Sequence, residues 1–243
     1  ALLAYSPERI MAGFCIDRLR CFPKMIGGVD DESGRKAFDL YHRFIPNLSL
    51  VSSSRVAEFA KVVEGCYRDV NIALANELYK AADMLGIDFF EARLHANHEF
   101  CHIHLPSVGV GGHCIPVYPW FLVDACAWRP DSTSLIGFSR HLNDSMVEFW
   151  FTKFLYACSQ LSKPLKHVKV CLDGITYREG VKGIYHSRSL ALAGVLRERG
   201  FNVFLYDRLY TPEDITDFGF PFLEPSDADV VFHTHTLTLV VNR

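Results

Sequence analysis

The sequence predicts an α + α/β chain: a helical domain over residues 1–162 built around one long central helix, then a small parallel-sheet α/β domain over 163–243. Three observations predict it. Residues 55–85 contain no Pro and a single Gly, Gly65, and are apolar around most of their circumference. Residues 132–161 form a second long helical segment. Beyond KPLK at 163–166, which reads as a linker, strand, helix and strand alternate at the spacing of a βαβ unit, which implies parallel pairing.

The elements follow in order. KMIGG at 24–28 reads as a strand entering a turn. DDESGRKAFDLYHRF then reads as an amphipathic helix, with Phe38, Leu40 and Tyr41 among its apolar positions. IPNLSLV is a short extended piece. Ser52, Ser53 and Ser54 offer N-cap oxygens to the long helix, Glu58 suits its first turn, and Gly86 stops it. About thirty residues make a rod of roughly 45 Å. Val56, Phe59, Val62, Val63, Val70, Ile72, Leu74 and Leu78 spread around it, so it reads as central, buried on several sides or set at a dimer interface. Asp88 to Asn97 makes a shorter helix, and 98–119 is a loop rich in Gly, His and Pro. In the second long helix Leu135, Phe138, Leu142, Met146, Trp150 and Phe154 form the apolar stripe. HVKVCLDGITY, FNVFLYD and DADVVFHTH are strands, SRSLALAGVLRERG is a helix with a Gly stop, and TPEDITDFGF is a short helical turn.

Bulk properties exclude several classes. The 243 residues are 49% hydrophobic and 22% charged, which is globular composition. A formal charge of -3 offers no basic field for nucleic acid or an anionic membrane. No apolar run approaches a membrane span and no signal pattern opens the chain, so a cytoplasmic protein is expected. The eight cysteines are scattered without a CxxC pair, so reduced thiols are expected and no metal site is. ALLAYSPERI lacks an initiator Met and VVFHTHTLTLVVNR closes on a strand, so both ends read as cut.

Three places carry chemistry. Gly109, Gly111 and Gly112 precede His113 and Cys114. Such glycines turn N–H groups toward an anion and can stabilise a neighbouring thiolate. An inert buried thiol beside a tight turn is the plainer reading of the same residues. On the long helix, Lys61, Glu64, Arg68 and Asn71 follow a 3, 4, 3 spacing and share one face, which is either a solvent stripe or the wall of a polar site. At the start, Ser6 and Pro7 form a turn before Glu8. A cysteine hydrolase is disfavoured, because adjacent His113 points away from the thiol in most turns.

In this order, SPERI at 6–10, IGGVDDES at 26–33, AEFAKVVEGCYRDVNIALANEL at 57–78, GVGGHCIPVYPWFL at 109–122 and GITYREGV at 174–181 resemble the UDP-glucose/GDP-mannose dehydrogenase family, over nearly the whole chain. They look most like the branch acting on UDP-N-acetylhexosamines, as in UDP-N-acetylmannosamine dehydrogenases. The resemblance implies an N-terminal NAD-binding domain, a central dimerising helical domain and a Rossmann-like C-terminal domain for the UDP-sugar. It implies oxidation of a sugar C6 alcohol to the uronate for polysaccharide synthesis, through a Cys thiohemiacetal and thioester. It places the nucleophile at Cys114, an oxyanion-stabilising Lys at Lys61 and a water-activating acid at Glu8. Gly109, Gly111, Gly112, His113, Arg68, Asn71 and Arg188 would contact the sugar nucleotide, and the helix at 55–85 would carry a homodimer.

Three positions depart from the family pattern. An Asn one turn after the Lys is Gly65 here, which weakens a helix by about 1 kcal/mol relative to Ala. The Asp of CIPxDP is Tyr118, and a phenol is a poor base at neutral pH. The nucleotide-gripping Asp–Thr–Arg run reads GIYHSRS, with Arg188 at a shifted place. No GxGxxG occurs, so the NAD-binding domain is expected to be missing, and this chain alone to be inactive. The alternative is a non-catalytic sugar-nucleotide-binding or dimerisation module, which Gly65 and Tyr118 favour.

Overall fold

A computed structural model describes residues 1–10, 15–127 and 134–242. They form two compact units, Ala1–Gly65 and Cys66–Arg243, so the division falls inside the long helix. The domain boundary expected at residue 162 lies within the second unit.

The first unit contains β1 (Ala4–Tyr5), α1 (Cys15–Cys21), β2 (Lys24–Gly28), α2 (Asp31–Tyr41), β3 (Leu48–Val51) and the start of α3 (Ser54–Leu85). β2 is central, antiparallel to β1 and parallel to β3. The Gly pair in β2 exists for close approach. A Cβ on Gly27 would lie 2.1 Å from the Ser53 carbonyl, and one on Gly28 2.3 Å from the Gly34 nitrogen. Asp30 caps α2 by accepting from Ser33 N at 2.7 Å. The face of α2 that is buried is Ser33 and Gly34, while Leu40 is exposed. Phe38 and Tyr41 of the expected apolar face are half-buried, and the small Ser33 and Gly34 let the helix approach the sheet most closely.

The expectation that α3 is covered on several sides is also corrected. Phe59, Val56, Leu74, Val63 and Leu78 are exposed, and the buried face consists of Ala57, Cys66, Asp69, Ala73, Ala75 and Asn76. The chain packs the small and polar side of the helix and leaves the large apolar side open. Ser53 Oγ accepts from Val56 N at the start, and Gly86 ends the helix with φ +67.

In the second unit α4 (Phe89–Ala96) is capped by Asp88, which accepts from Phe90 N and Glu91 N. The loop that follows ends earlier than expected, in α5 (Tyr118–Ala125). The second long helix is α6 (Leu135–Ser159), capped by Ser134; its expected start at 132 lies outside the described residues. Leu142, Met146, Trp150 and Phe154 are buried, but Leu135 and Phe138 are exposed, so the stripe begins two turns later than its periodicity suggested.

The C-terminal sheet combines β4 (Lys169–Asp173), α7 (Arg188–Glu198), β5 (Asn202–Tyr206), α8 (Pro212–Asp217), β6 (Val230–His233) and β7 (Thr238–Val241), in strand order β5-β4-β6-β7. β4 pairs parallel with β5 and β6, as the βαβ spacing predicts. β7 adds an antiparallel edge that the sequence reading did not anticipate. Leu172, Leu192, Leu196, Leu205 and Phe232 join Trp150 and Phe154 of α6 in one core. The sheet thus takes its cover from α6 and α7.

Candidate active site

Cys114 is exposed, one turn before α5, and its carbonyl accepts from Val117 N (3.1 Å) and Tyr118 N (2.9 Å). The loop leading to it is held on two sides. Gly109 (φ +129) and Gly112 (φ +89) occupy backbone conformations that favour glycine. A Cβ on Gly109 would meet the Asn143 carbonyl at 2.7 Å and Arg188 Nε at 3.0 Å. A Cβ on Gly111 would meet the His186 carbonyl at 2.8 Å and the Tyr177 side chain at 2.9 Å. Gly112 N donates to the Tyr185 carbonyl at 2.7 Å, and the His113 ring packs on Tyr185 at 3.8 Å. The structure therefore brings together Gly109, Gly111, Gly112, His113 and Arg188 around the loop.

The other sequence-predicted residues have separate settings. Arg68 is exposed on α3. Burial, with the charges of Arg68 and Arg93, pushes the His104 imidazole below its ordinary value. Asn71 donates to the Tyr67 carbonyl of its own helix at 2.7 Å. In the first unit, half-buried Lys61 lies on α3 and Glu64 is bonded by Arg9 at 2.9 Å. Glu8 takes a contact at 3.5 Å from buried Lys24, which also donates to the Pro7 carbonyl.

Beneath the loop is a buried polar group that sequence reasoning missed. Asp69, Asn76 and Asn143 are fully buried, and Arg140 is nearly so. Arg140 Nη1 donates to Asp69 Oδ1 at 2.5 Å, and Arg140 Nη2 donates to Asp144 at 2.7 Å. Burial raises the Asp69 carboxyl above its ordinary value, with Arg140 opposing. Arg188 Nη2 donates to the Asp144 carbonyl at 3.0 Å, so the same turn of α6 holds both arginines. A signal was present: Asp69 and Asn76 lie seven apart on α3, which keeps two polar residues on one face.

A crevice of about 290 Å³ opens at the C-terminal ends of β4, β5 and β6, lined by Asp173, Thr176, Asp207, Arg208, His233 and His235 among others. Parallel sheets commonly bind ligands at such a point, where strand order reverses. His233 Nδ1 lies 2.6 Å from Asp173 Oδ2, and His235 Nε2 lies 3.1 Å from the Thr176 hydroxyl. The turn after β4 does not suit a dinucleotide phosphate. Its amide donors, Ile175 N (2.9 Å) and Thr176 N (3.3 Å), already bond to Asp207 Oδ2. An NAD cradle in this turn is therefore filled by the chain's own carboxylate.

The thiols divide by burial. Burial pushes Cys66 and Cys158 to about 11 and Cys171 to about 12, which suppresses their thiolates at neutral pH. Cys66, Cys158 and Cys171 are buried, while Cys15, Cys21, Cys114 and Cys126 are exposed. No helix among the described residues is long and apolar enough to cross a membrane.

Comparison with known proteins fits these features. Residues 55–145 match the sequence model of the UDP-glucose/GDP-mannose dehydrogenase family, central domain. A UDP-N-acetyl-D-mannosamine dehydrogenase of Methanocaldococcus jannaschii is 36% identical over 209 residues, covering 85% of this chain and 46% of that protein. An NDP-N-acetyl-D-galactosaminuronic acid dehydrogenase of Ralstonia nicotianae is 32% identical, covering 78% and 44%. The solved structure of a UDP-D-ManNAc dehydrogenase from Pyrococcus horikoshii superposes with TM-score 0.81 at 28% identity, over 95% of this chain and 54% of that one. The chain spans about half the length of the curated relatives it matches.

Proposed function

Across residues 55–145 this chain belongs to the UDP-glucose/GDP-mannose dehydrogenase family, and on that premise we propose that it is the thiol-bearing part of a nucleotide-sugar 6-dehydrogenase acting on a UDP-N-acetylhexosamine. The observation that carries the reading is the exposed Cys114 at the end of a loop held by Gly109, Gly112 and the 185–188 segment. The Cys114 thiolate would add to the C6 aldehyde carbon, forming a thiohemiacetal. After oxidation the linkage is a thioester, which water cleaves to the uronate and the free thiol. Lys61 would donate to alkoxide and oxyanion character, and Glu8 would take the proton of the attacking water.

The sugar nucleotide would lie along Gly109, Gly111, Gly112 and His113, with Arg188, Arg68 and Asn71 as polar contacts and the 163–243 region as its UDP-binding domain. NAD is the hydride acceptor that the family uses. The turn after β4 offers it no phosphate cradle, so we assign NAD to no residue of this chain. The open apolar side of α3, including Phe59, Leu74 and Leu78, supports a homodimer through 55–85. Scattered cysteines without a CxxC pair support a reducing, cytoplasmic setting.

A second reading, a non-catalytic binding or dimerisation module, is favoured by Gly65 and Tyr118 where the family has Asn and Asp. Peptide-resolved alkylation of the folded chain decides between them. Under the enzyme reading Cys114 reacts faster than exposed Cys15, Cys21 and Cys126, and UDP-N-acetylmannosamine protects it. Equal rates for all four would leave the binding module. By itself the chain is expected not to reduce NAD with this substrate, and absorbance at the NADH band checks that.

A further inference from the structure

We propose that Asn76 and Asn143, rooted on Asp69, are positioning residues that set the path of the glycine loop and through it the reactivity of Cys114. This rests on the reading of Cys114 as the reactive thiol.

The argument is one of direction. The Asp69 carboxylate can only accept. Asn143 must therefore turn its NH2 toward it, and does so at 2.9 Å to Oδ1 and 3.0 Å to the Asp69 carbonyl. The Asn143 oxygen is then left for the Asn76 NH2, which donates to it at 2.9 Å. The Asn76 oxygen is left in turn for a donor, and Ser107 N supplies it at 2.7 Å. A carboxylate at the root thus dictates that a backbone N–H stands at the far end. Reversing either amide would put two acceptors or two donors face to face in a fully buried place, where an unmet polar group is costly.

Ser107 passes the constraint on. Its Oγ donates to the Gly109 carbonyl at 2.8 Å and accepts from Gly109 N at 3.3 Å. Gly109 lies against the Asn143 backbone and the Arg188 side chain. Arg188 is tied to Asp144, the neighbour of Asn143. One turn of α6 therefore holds the loop from both sides, five residues before Cys114.

The test measures the iodoacetamide rate of Cys114 by peptide mass spectrometry in the 243-residue chain, with thermal melting in parallel. Wild-type Cys114 should outpace Cys15, Cys21 and Cys126; if it does not, the thiol reading fails and this proposal with it. Given a fast wild type, Asn76→Leu keeps the branched shape and loses the acceptor. It should slow Cys114 at least about fivefold while the chain remains folded, within the roughly hundredfold that a misplacement of about an ångström can cost. Asn76→Asp supplies the rescue. Protonated, it copies both bonds of the amide; ionised, it confronts the Asn143 oxygen. Its rate relative to wild type should be restored in mild acid and lost above neutral pH. A rate within twofold of wild type in Asn76→Leu, with melting alone lowered, would make the network merely structural and overturn the proposal. If Asn76→Leu does not fold, Ser107→Ala decides: it keeps the backbone N–H and loses the two bonds to Gly109, and an unchanged Cys114 rate overturns the proposal.

Discussion

Two buried regions of the second unit lie close in sequence on α6 and work by different physics. One is the apolar core, where Trp150 and Phe154 pack on Phe232, Leu172 and Leu205. The other is the polar group of Asp69, Asn76, Arg140 and Asn143. Apolar burial stabilises without regard to direction, so the core tolerates exchange of shapes of similar volume. The polar group gains little net energy from each bond, but leaves one arrangement of its donors and acceptors. The difference teaches that the apolar core supplies net stability, whereas the polar group supplies direction and costs stability chiefly when it is broken.

The comparison breaks most readily at its charges. Arg140→Met strands the Asp69 carboxylate and should cost about 3–5 kcal/mol in urea unfolding. The double change Asp69→Leu with Arg140→Met should recover most of that loss while leaving Cys114 slow to alkylate. A double variant as unstable as the single one would show that packing, not charge, governs the site. Phe232→Ala should cost about 3–5 kcal/mol as well, yet leave the Cys114 rate unchanged in the folded chain. Gly109→Ala is expected to cost less, about 1–3 kcal/mol from its positive φ and the close Asn143 carbonyl, and to slow Cys114 sharply.

The pH response sharpens the contrast further. Because burial raises the Asp69 carboxyl, the folded chain binds that proton more readily than the unfolded chain. Its stabilising contribution is full below the ordinary value of 3.8 and is lost as pH rises through the raised folded value. Asp229 has the opposite sign: Lys163 and the Lys169 amide lower it, so its contribution holds above 3.8 and fades as pH falls through the depressed value. Melting temperatures from acid to neutral pH should therefore lose their Asp69 component in Asp69→Asn and their Asp229 component in Lys163→Met. The second effect is the smallest expected here, under about 1 kcal/mol for an exposed pair.

Much of the fold was legible in the residues. Ser53 and Gly86 bound the long helix, and strand, helix and strand after 166 form the parallel pairs they implied. The loop at Gly109–Gly112 was legible as a tight, glycine-dependent turn. The exposed side of α3 was not, because Phe59 and Leu74 look like core in any count of apolar residues. Nor was the self-filled turn at Gly174, since Asp207 lies 33 positions farther along.

By itself, then, the sequence determined the local elements, the order of the family motifs and the place of Cys114 at the end of a glycine loop. These depend on spacing, caps and glycine, all properties of neighbouring residues. Only the tertiary structure decided which face of α3 the chain covers, that Asp207 occupies the amides after β4, and that Asp69 orients two asparagines toward the loop that carries Cys114. Those depend on which distant groups meet out of water, and a hydrogen-bond direction exists only once both partners are in place.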